Sequence, residues 1–140
     1  MDNIIIRPMK ASDYEKTVEL WEATTGIGLS EADNRERIRS YLIRNPEMSR
    51  VAEADGKLIG AVLCGHDGRR GYLHHLAVAI SWRSRGIGRR LVDGCVACLD
   101  REGIDRCHVF VYPDNAEGMA FWRRMGFEQR HDIQLCSKNL

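Results

Sequence analysis

The stretch RSRGIGRR, Arg83 to Arg90, lies between an apolar run, Tyr72 to Ala79, and a segment in which Ile87, Leu91, Val92, Cys95, Val96, Cys98 and Leu99 recur at the spacing of one helix face. A second strand-like run, Arg106 to Tyr112, follows it. Strand, glycine-bearing turn, helix and strand in that order specify a βαβ unit, since parallel strands need a long crossover and a helix is the usual one. The start of such a helix turns backbone N–H groups without intrahelical partners, and the positive end of its dipole, outward. Gly86 and Gly88 have no Cβ to hold a ligand off the backbone, and Arg83, Arg85, Arg89 and Arg90 add positive charge around them. The pattern is not GxxxxGK[ST], and it is not GxGxxG followed about twenty positions on by an acid, so neither a nucleotide-hydrolysing loop nor a dinucleotide fingerprint is present. A pyrophosphate is the natural guest.

The remaining elements alternate without repeats or a linker. Ile4 to Arg7 reads as a strand, and Ser12 or Asp13 can cap a helix running to about Thr24 with Val18, Leu20 and Trp21 on its apolar side. After the loop Thr25 to Leu29, the sequence SEAD at Ser30 opens a second helix with an acid three positions past the cap, and Asn45-Pro46 closes it. Arg50 to Ala54, the turn Asp55-Gly56 and Leu58 to Cys64 form a β-hairpin signal. EGMAFWRRM is a helix, and one or two closing strands are expected from Phe127 onward. The order β-α-α-β-β-β-α-β-α-β(β) predicts an α/β (α+β) fold, a mixed and mainly antiparallel sheet with helices on both faces, in one domain over 1–140.

Charge and cysteine usage narrow the function. With 21 basic against 20 acidic residues the net charge is +1, so no nucleic-acid or membrane partner is called for and any charge effect is local. The cysteines, Cys64, Cys95, Cys98, Cys107 and Cys136, are odd in number and irregularly spaced, unlike a secreted disulfide framework. Cys95 and Cys98 form a lone CxxC with no second pair, and their spacing puts both on the buried side of a helix, so no metal site is expected. The apolar run Ile4 to Ile6 is too short for a signal peptide, and no stretch reaches the roughly 18 apolar residues of a membrane span. A cytoplasmic protein is the expectation.

The segment LAVAISWRSRGIGRRLV, Leu76 to Val92, resembles motif A of the GNAT (GCN5-related N-acetyltransferase) family, whose [RQ]-x-x-G-x-[GA] core is met by Arg83, Gly86 and Gly88. NAEGMAFWRRMGF, Asn115 to Phe127, is similar to the motif that follows it in that family, an Asn, an aromatic pair and Gly-Phe. The two motifs in this order and separation, with matching elements over nearly the whole sequence, carry the resemblance. It implies acetyl-CoA as co-substrate, with its pyrophosphate at Arg83, Ser84, Arg85, Gly86, Ile87, Gly88 and Arg89 and its pantetheine along Leu76, Ala77 and Val78. Asn115 and Trp122 would be further cofactor contacts, Asn115 also being a helix cap. The strands of Leu73–Val78 and Cys107–Val111 would splay apart to seat the thioester. An acetyl group would then pass by direct attack to a primary amine of a small molecule, a protein N-terminus or a lysine, in a ternary complex.

That chemistry needs an unprotonated amine, a donor for the developing oxyanion and a leaving thiolate. A backbone N–H near Leu76 to Val78 can serve the oxyanion. For the proton, His74 and His75 are the candidates; neighbours on a regular strand face opposite ways, so at most one of the two is expected to face the cleft, and parity does not say which. Tyr112 and Asp114 follow as alternatives. The sequence departs from the family at Trp122, where many members carry a tyrosine acid, and at Phe110, where some carry a catalytic glutamate. Indole offers an N–H of negligible acidity, but a thiol of pKa near 8.5 can leave as thiolate. The acceptor side is expected from Trp21 to Glu36, whose acids Glu22, Glu31, Asp33 and Glu36 read better as solvated helix faces than as an ammonium site. A homodimer is left open. Against the transferase reading stands a catalytically weak acyl-CoA sensor or partner subunit, motivated by the two departures; a nucleic-acid reading of the arginines lacks aromatic platforms and excess charge.

Overall fold

The computed structural model describes residues 3–140. These fall into two compact units, one ending at Phe110 and the other Val111–Leu140.

In the first unit β1 (Ile4–Pro8), α1 (Tyr14–Glu22), α2 (Arg35–Arg44), β2 (Arg50–Ala54), β3 (Lys57–His66), β4 (Gly71–Val78), α3 (Ile87–Arg101) and β5 (Cys107–Val109) follow one another in sequence. The sheet order is β1-β2-β3-β4-β5; the first three pairings are antiparallel and β4 with β5 is parallel, as the βαβ signal requires. One face of the sheet packs on α1 and α2 through Met9, Trp21, Ile38, Val51, Ala61, Leu63 and Ala77. The other face takes α3. A Cβ on Gly60 would lie 3.0 Å from Leu91 Cδ1, and one on Gly71 would lie 2.7 Å from Leu99 Cδ1, so these two glycines let the helix lie close to the strands. Ile87, Leu91, Val92, Cys95, Cys98 and Leu99 are buried there, while Val96 turns outward at 41% exposure.

Two local expectations are corrected. Asp13 does not use its carboxylate to cap α1; it reaches back to the Lys10 N–H at 2.7 Å and pairs bidentately with Arg7 at 2.8 and 2.9 Å, which also bonds Glu53. Two unlike charges close by outcompete a single first-turn N–H for the carboxylate. The SEAD box does form, Ser30 accepting from Ala32 and Asp33 from Ser30, but it closes only a 3-10 turn, Glu31–Asp33. Asn34 is extended and caps again, accepting from Arg37 N–H, so α2 starts at Arg35.

The second unit is built on α4 (Ala116–Arg124), capped by Asn115 Oδ1, which accepts from Gly118 N–H at 2.9 Å. The strands expected from Phe127 onward are not formed. Phe127 is used up in ending the helix: its N–H bonds Trp122 C=O at 2.9 Å, Gly126 N–H bonds Arg123 C=O at 3.0 Å, and its ring meets the Trp122 indole edge-on at 5.0 Å. Beyond it the charged run Glu128–Asp132 is exposed, with a local Arg130–Asp132 ion pair, and offers no alternating apolar face to bury.

Candidate active site

The start of α3 is a backbone feature. Gly86 is its N-cap at φ +77°, no side-group oxygen caps it, and the first helical bond is Arg90 N–H to Gly86 C=O at 3.1 Å. That left-handed φ suits glycine, and no atom stands within 4 Å of where its Cβ would be. Ser84 is also left-handed at φ +64°, so two residues two apart curve the backbone ahead of the helix. The first-turn N–H groups of Ile87, Gly88 and Arg89 face out of the helix end with their dipole, an open concavity suited to an anion. The arginines divide the work. Arg83 Nε donates to Val78 C=O at 3.0 Å, pinning the loop to the end of β4. The Arg85 guanidinium lies over the Trp82 ring at 4.7 Å, a platform the sequence pattern did not signal, and Arg90 reaches Ile4 C=O at 3.5 Å. Arg89 is exposed.

β4 leads to this loop and loses its parallel partner on the way. β5 pairs with Gly71, Tyr72 and Leu73 only and ends at Val109, short of the expected Tyr112. From His74 to Val78 the β5 side of β4 carries no strand pairing; Ala77 pairs with Ala61 on the β3 side, and the alternation of backbone groups puts those of Leu76 and Val78 on the open edge, where they can bond an extended ligand or an oxyanion. An elongated molecule with a phosphate at one end fits an open strand edge that runs into an uncapped helix start.

His74 and His75 do not obey strand parity. Ala77 stands opposite Ala61 but His74 stands opposite Leu63, so His75 and Leu76 together face Val62, a β-bulge with His75 at φ +56°. The extra residue slips the alternation and brings both rings to the α1–α2 side. His74 is opposite Leu63 of that core, and His75 meets Trp21 edge-on, centroids 5.0 Å apart. The two imidazoles are 6.4 Å apart. The expectation that one faces away is overturned by the bulge.

Their surroundings differ. His74 lies among parallel rings, 6.3 Å from Tyr72 and 5.9 Å from Phe110, which is 55% exposed. Burial pushes its pKa below the ordinary histidine value; the neighbouring His75 adds to this and Asp33 works against it. His75 Nε2 lies 3.0 Å from Asp33 Oδ1. Asp33 is therefore no solvated helix-face acid: its carboxylate is 10% exposed, whereas Glu22, Glu31 and Glu36 are on the surface.

In the second unit Tyr112 is exposed in the turn before α4, its C=O accepting from Asn115 N–H, and Asp114 is exposed beside it. Neither ends a strand. Trp122 is packed between Phe121 and Phe127.

A strand edge and a helix start with open backbone groups, beside a histidine pair, suit an extended, phosphate-bearing ligand. The acetyltransferase (GNAT) family model matches residues 14–127, and the chain belongs to that family; it transfers acetyl from acetyl-CoA to an amine. An acetyltransferase of Sodalis glossinidius (strain morsitans) is 27% identical over 135 residues, 96% of this protein and 94% of its own length. PaiA N-acetyltransferase of Thermoplasma acidophilum, solved with coenzyme A, shares the fold at TM-score 0.80 and 22% identity over 94% of this protein and 93% of its own length. The aminoglycoside N-acetyltransferase AAC(6')-Iy, solved with the bisubstrate analogue CoA-S-monomethyl-acetylneamine, does so at TM-score 0.77 and 19% identity over 99% of each. Among the described residues no helix is long and apolar enough to cross a membrane.

Proposed function

We propose that the protein is an N-acetyltransferase in which Arg83–Arg89 hold the pyrophosphate of acetyl-CoA, the open edge Leu76–Val78 holds its pantetheine, and a primary amine enters on the side of β4 that carries His74 and His75. The single observation behind this reading is the continuity of β4: unpaired with β5 beyond Leu73, it runs directly to the loop that Gly86 turns into a helix start. The family match runs across the boundary between the two units, which supports reading 1–140 as one transferase domain. Asn115 and Trp122 enter the cofactor site on the strength of their motif.

Acetyl-CoA supplies a thioester carbonyl as the electrophile. The protein's own residues do the rest. Backbone N–H groups of the β4 edge stabilise negative charge on the carbonyl oxygen, where their fixed orientation costs no reorganisation. The histidine face removes the proton that an attacking amine must lose. Trp122 cannot replace the family's tyrosine acid, so the sulfur leaves as thiolate or takes a proton from water. The acceptor is a primary amine of a small molecule, a protein N-terminus or a lysine.

The test is thiol release from acetyl-CoA in the presence of 2-phenylethylamine, spermidine, kanamycin or a lysine-containing peptide, alongside the melting temperature with CoA. A raised melting temperature and amine-dependent thiol release are expected, because a ligand held only by the folded state stabilises by mass action. No shift at millimolar CoA overturns the cofactor assignment; a shift without thiol release for any amine would make the protein a sensor.

A further inference from the structure

Asp33 is tied down more completely than a helix cap requires. One carboxylate oxygen, Oδ2, accepts from Ser30 N–H at 3.0 Å and closes the 3-10 turn. The other, Oδ1, is left for His75 Nε2 at 3.0 Å, and the backbone carbonyl of Asp33 accepts from the Tyr14 hydroxyl at 2.7 Å. The turn Glu31–Asp33 is thereby anchored from α1 and aimed at the β4 bulge. The imidazole it meets is immobile too, edge-on against the fully buried Trp21 and carried on a left-handed residue. Such a φ at a non-glycine residue is strained and persists where the surroundings over-determine it.

A carboxylate can only accept, so His75 Nε2 carries the hydrogen and the lone pair resides on Nδ1. This is the arrangement in which an acid fixes the tautomer and orientation of an imidazole that works as a base through its other nitrogen. His74 has no such partner: its ring lies beside the Tyr72 and Phe110 rings and makes no hydrogen bond among the described residues.

We propose that His75 takes the proton of the acceptor amine and that Asp33 is its positioning residue. The proposal rests on the N-acetyltransferase reading and assigns the base within it. As the amine N–C bond forms and the thioester C–S bond breaks, the N–H proton passes to His75 Nδ1 and the bonding electron pair leaves with sulfur as thiolate. Asp33 holds the Nε2–H throughout. Because Asp33 belongs to the turn between the first two helices, the acceptor-side segment and the base are positioned by one residue.

The test uses the full-length enzyme with acetyl-CoA and whichever of 2-phenylethylamine, spermidine, kanamycin or the lysine peptide supports thiol release, together with imidazole ¹⁵N NMR. His75→Gln and Asp33→Asn should each lower kcat by about 10²- to 10³-fold, within the range of a lost general base, with KM for acetyl-CoA changed by no more than about twofold. The double variant should be little worse than either single one, because the two residues act as a unit. In the spectrum wild-type His75 should be the Nε2–H tautomer, and Asp33→Asn should convert it to Nδ1–H. Ser30→Ala, which removes the hydroxyl that accepts from Ala32 N–H and keeps the Ser30 N–H that donates to Asp33 Oδ2, should retain activity. A larger loss in His74→Gln than in His75→Gln overturns the assignment of the base. An unchanged tautomer and rate in Asp33→Asn, or an equal loss in Ser30→Ala, reduces Asp33 to a structural cap. If CoA binds but no amine releases thiol, the transferase reading itself has failed; an Nδ1–H tautomer in wild-type His75 instead defeats the Asp33 assignment alone.

Discussion

At its Val78 end β4 leads into a site made of backbone, Gly86 at φ +77° and an uncapped first turn of α3, whereas at its His74–His75 end it carries a site made of side groups, an imidazole held between Asp33 and Trp21. The two ends are joined by one strand of the same sheet, yet they tolerate change differently. Backbone N–H groups at a helix start need only the absence of bulky groups in their way, so many sequences around the two glycines satisfy them. An Asp–His contact at 3.0 Å needs the turn, the bulge and the packing beneath both to be in register. The contrast shows how the two ends differ in what specifies them: the helix start is set within one βαβ turn, and the Asp33–His75 contact depends on segments far apart in sequence.

The contrast can be broken by substitution at either end. The largest effect should come from Trp21→Ala, which removes the floor beneath His75 and should cost about 3–5 kcal/mol of stability, as for other large-to-small changes in a core. Chemical denaturation measures that loss, and CoA affinity per folded molecule should stay near the wild-type value. If CoA binding falls in step, the two ends are coupled and the contrast is wrong. Next in size, Gly88→Val should weaken CoA by about tenfold or more with little change in melting temperature, because a branched Cβ obstructs approach to the first-turn amides while a helix start accepts valine. Calorimetric titration decides this, and lost stability with unchanged affinity would reduce the glycine to a turn former.

The smallest effect sharpens the acceptor end. His74 has its folded-state pKa lowered by burial, with the His75 charge adding to it and Asp33 opposing it. The unfolded state therefore binds this proton more readily, and the stability that depends on a neutral His74 is present above the unfolded value of about 6.5 and is lost as pH falls from there towards the folded pKa. Thermal melts between about pH 8 and pH 5.5 should show that decline, and His74→Gln should flatten it. A decline unchanged in His74→Gln would place the titration elsewhere.

Much of this molecule was legible before its structure. All five strands of the first unit and the α3 helix lie within a few residues of where period and turn chemistry put them, Asn115 caps α4, and Gly86 begins α3. Three things were not legible, each for its own reason. The closing strands failed because Phe127 had a nearer partner in Trp122 than any strand could offer. Trp82 gave no signal as a platform for Arg85, since a tryptophan in a loop has no period to read. Asp33 was read with its exposed neighbours Glu31 and Glu36, because nothing in SEAD distinguishes an acid that only caps from one whose second oxygen is claimed from across the fold.

The sequence by itself determined the βαβ unit, the alternation of the other elements and the glycine helix start of α3, because helix and strand periods and the freedom of glycine act over a few neighbouring residues. Only the tertiary structure decided the acceptor side. The direction of side groups on a strand follows parity until a bulge breaks it, and the bulge at His75–Leu76 is set by the pairing of β4 with β3 and by the packing of Trp21 beneath it. Asp33 and His75 lie 42 residues apart in the sequence, and no local rule brings such a pair within hydrogen-bond distance. That contact exists because α1 packs Trp21 against His75 of β4 and holds the turn through the Tyr14 hydroxyl on the Asp33 carbonyl.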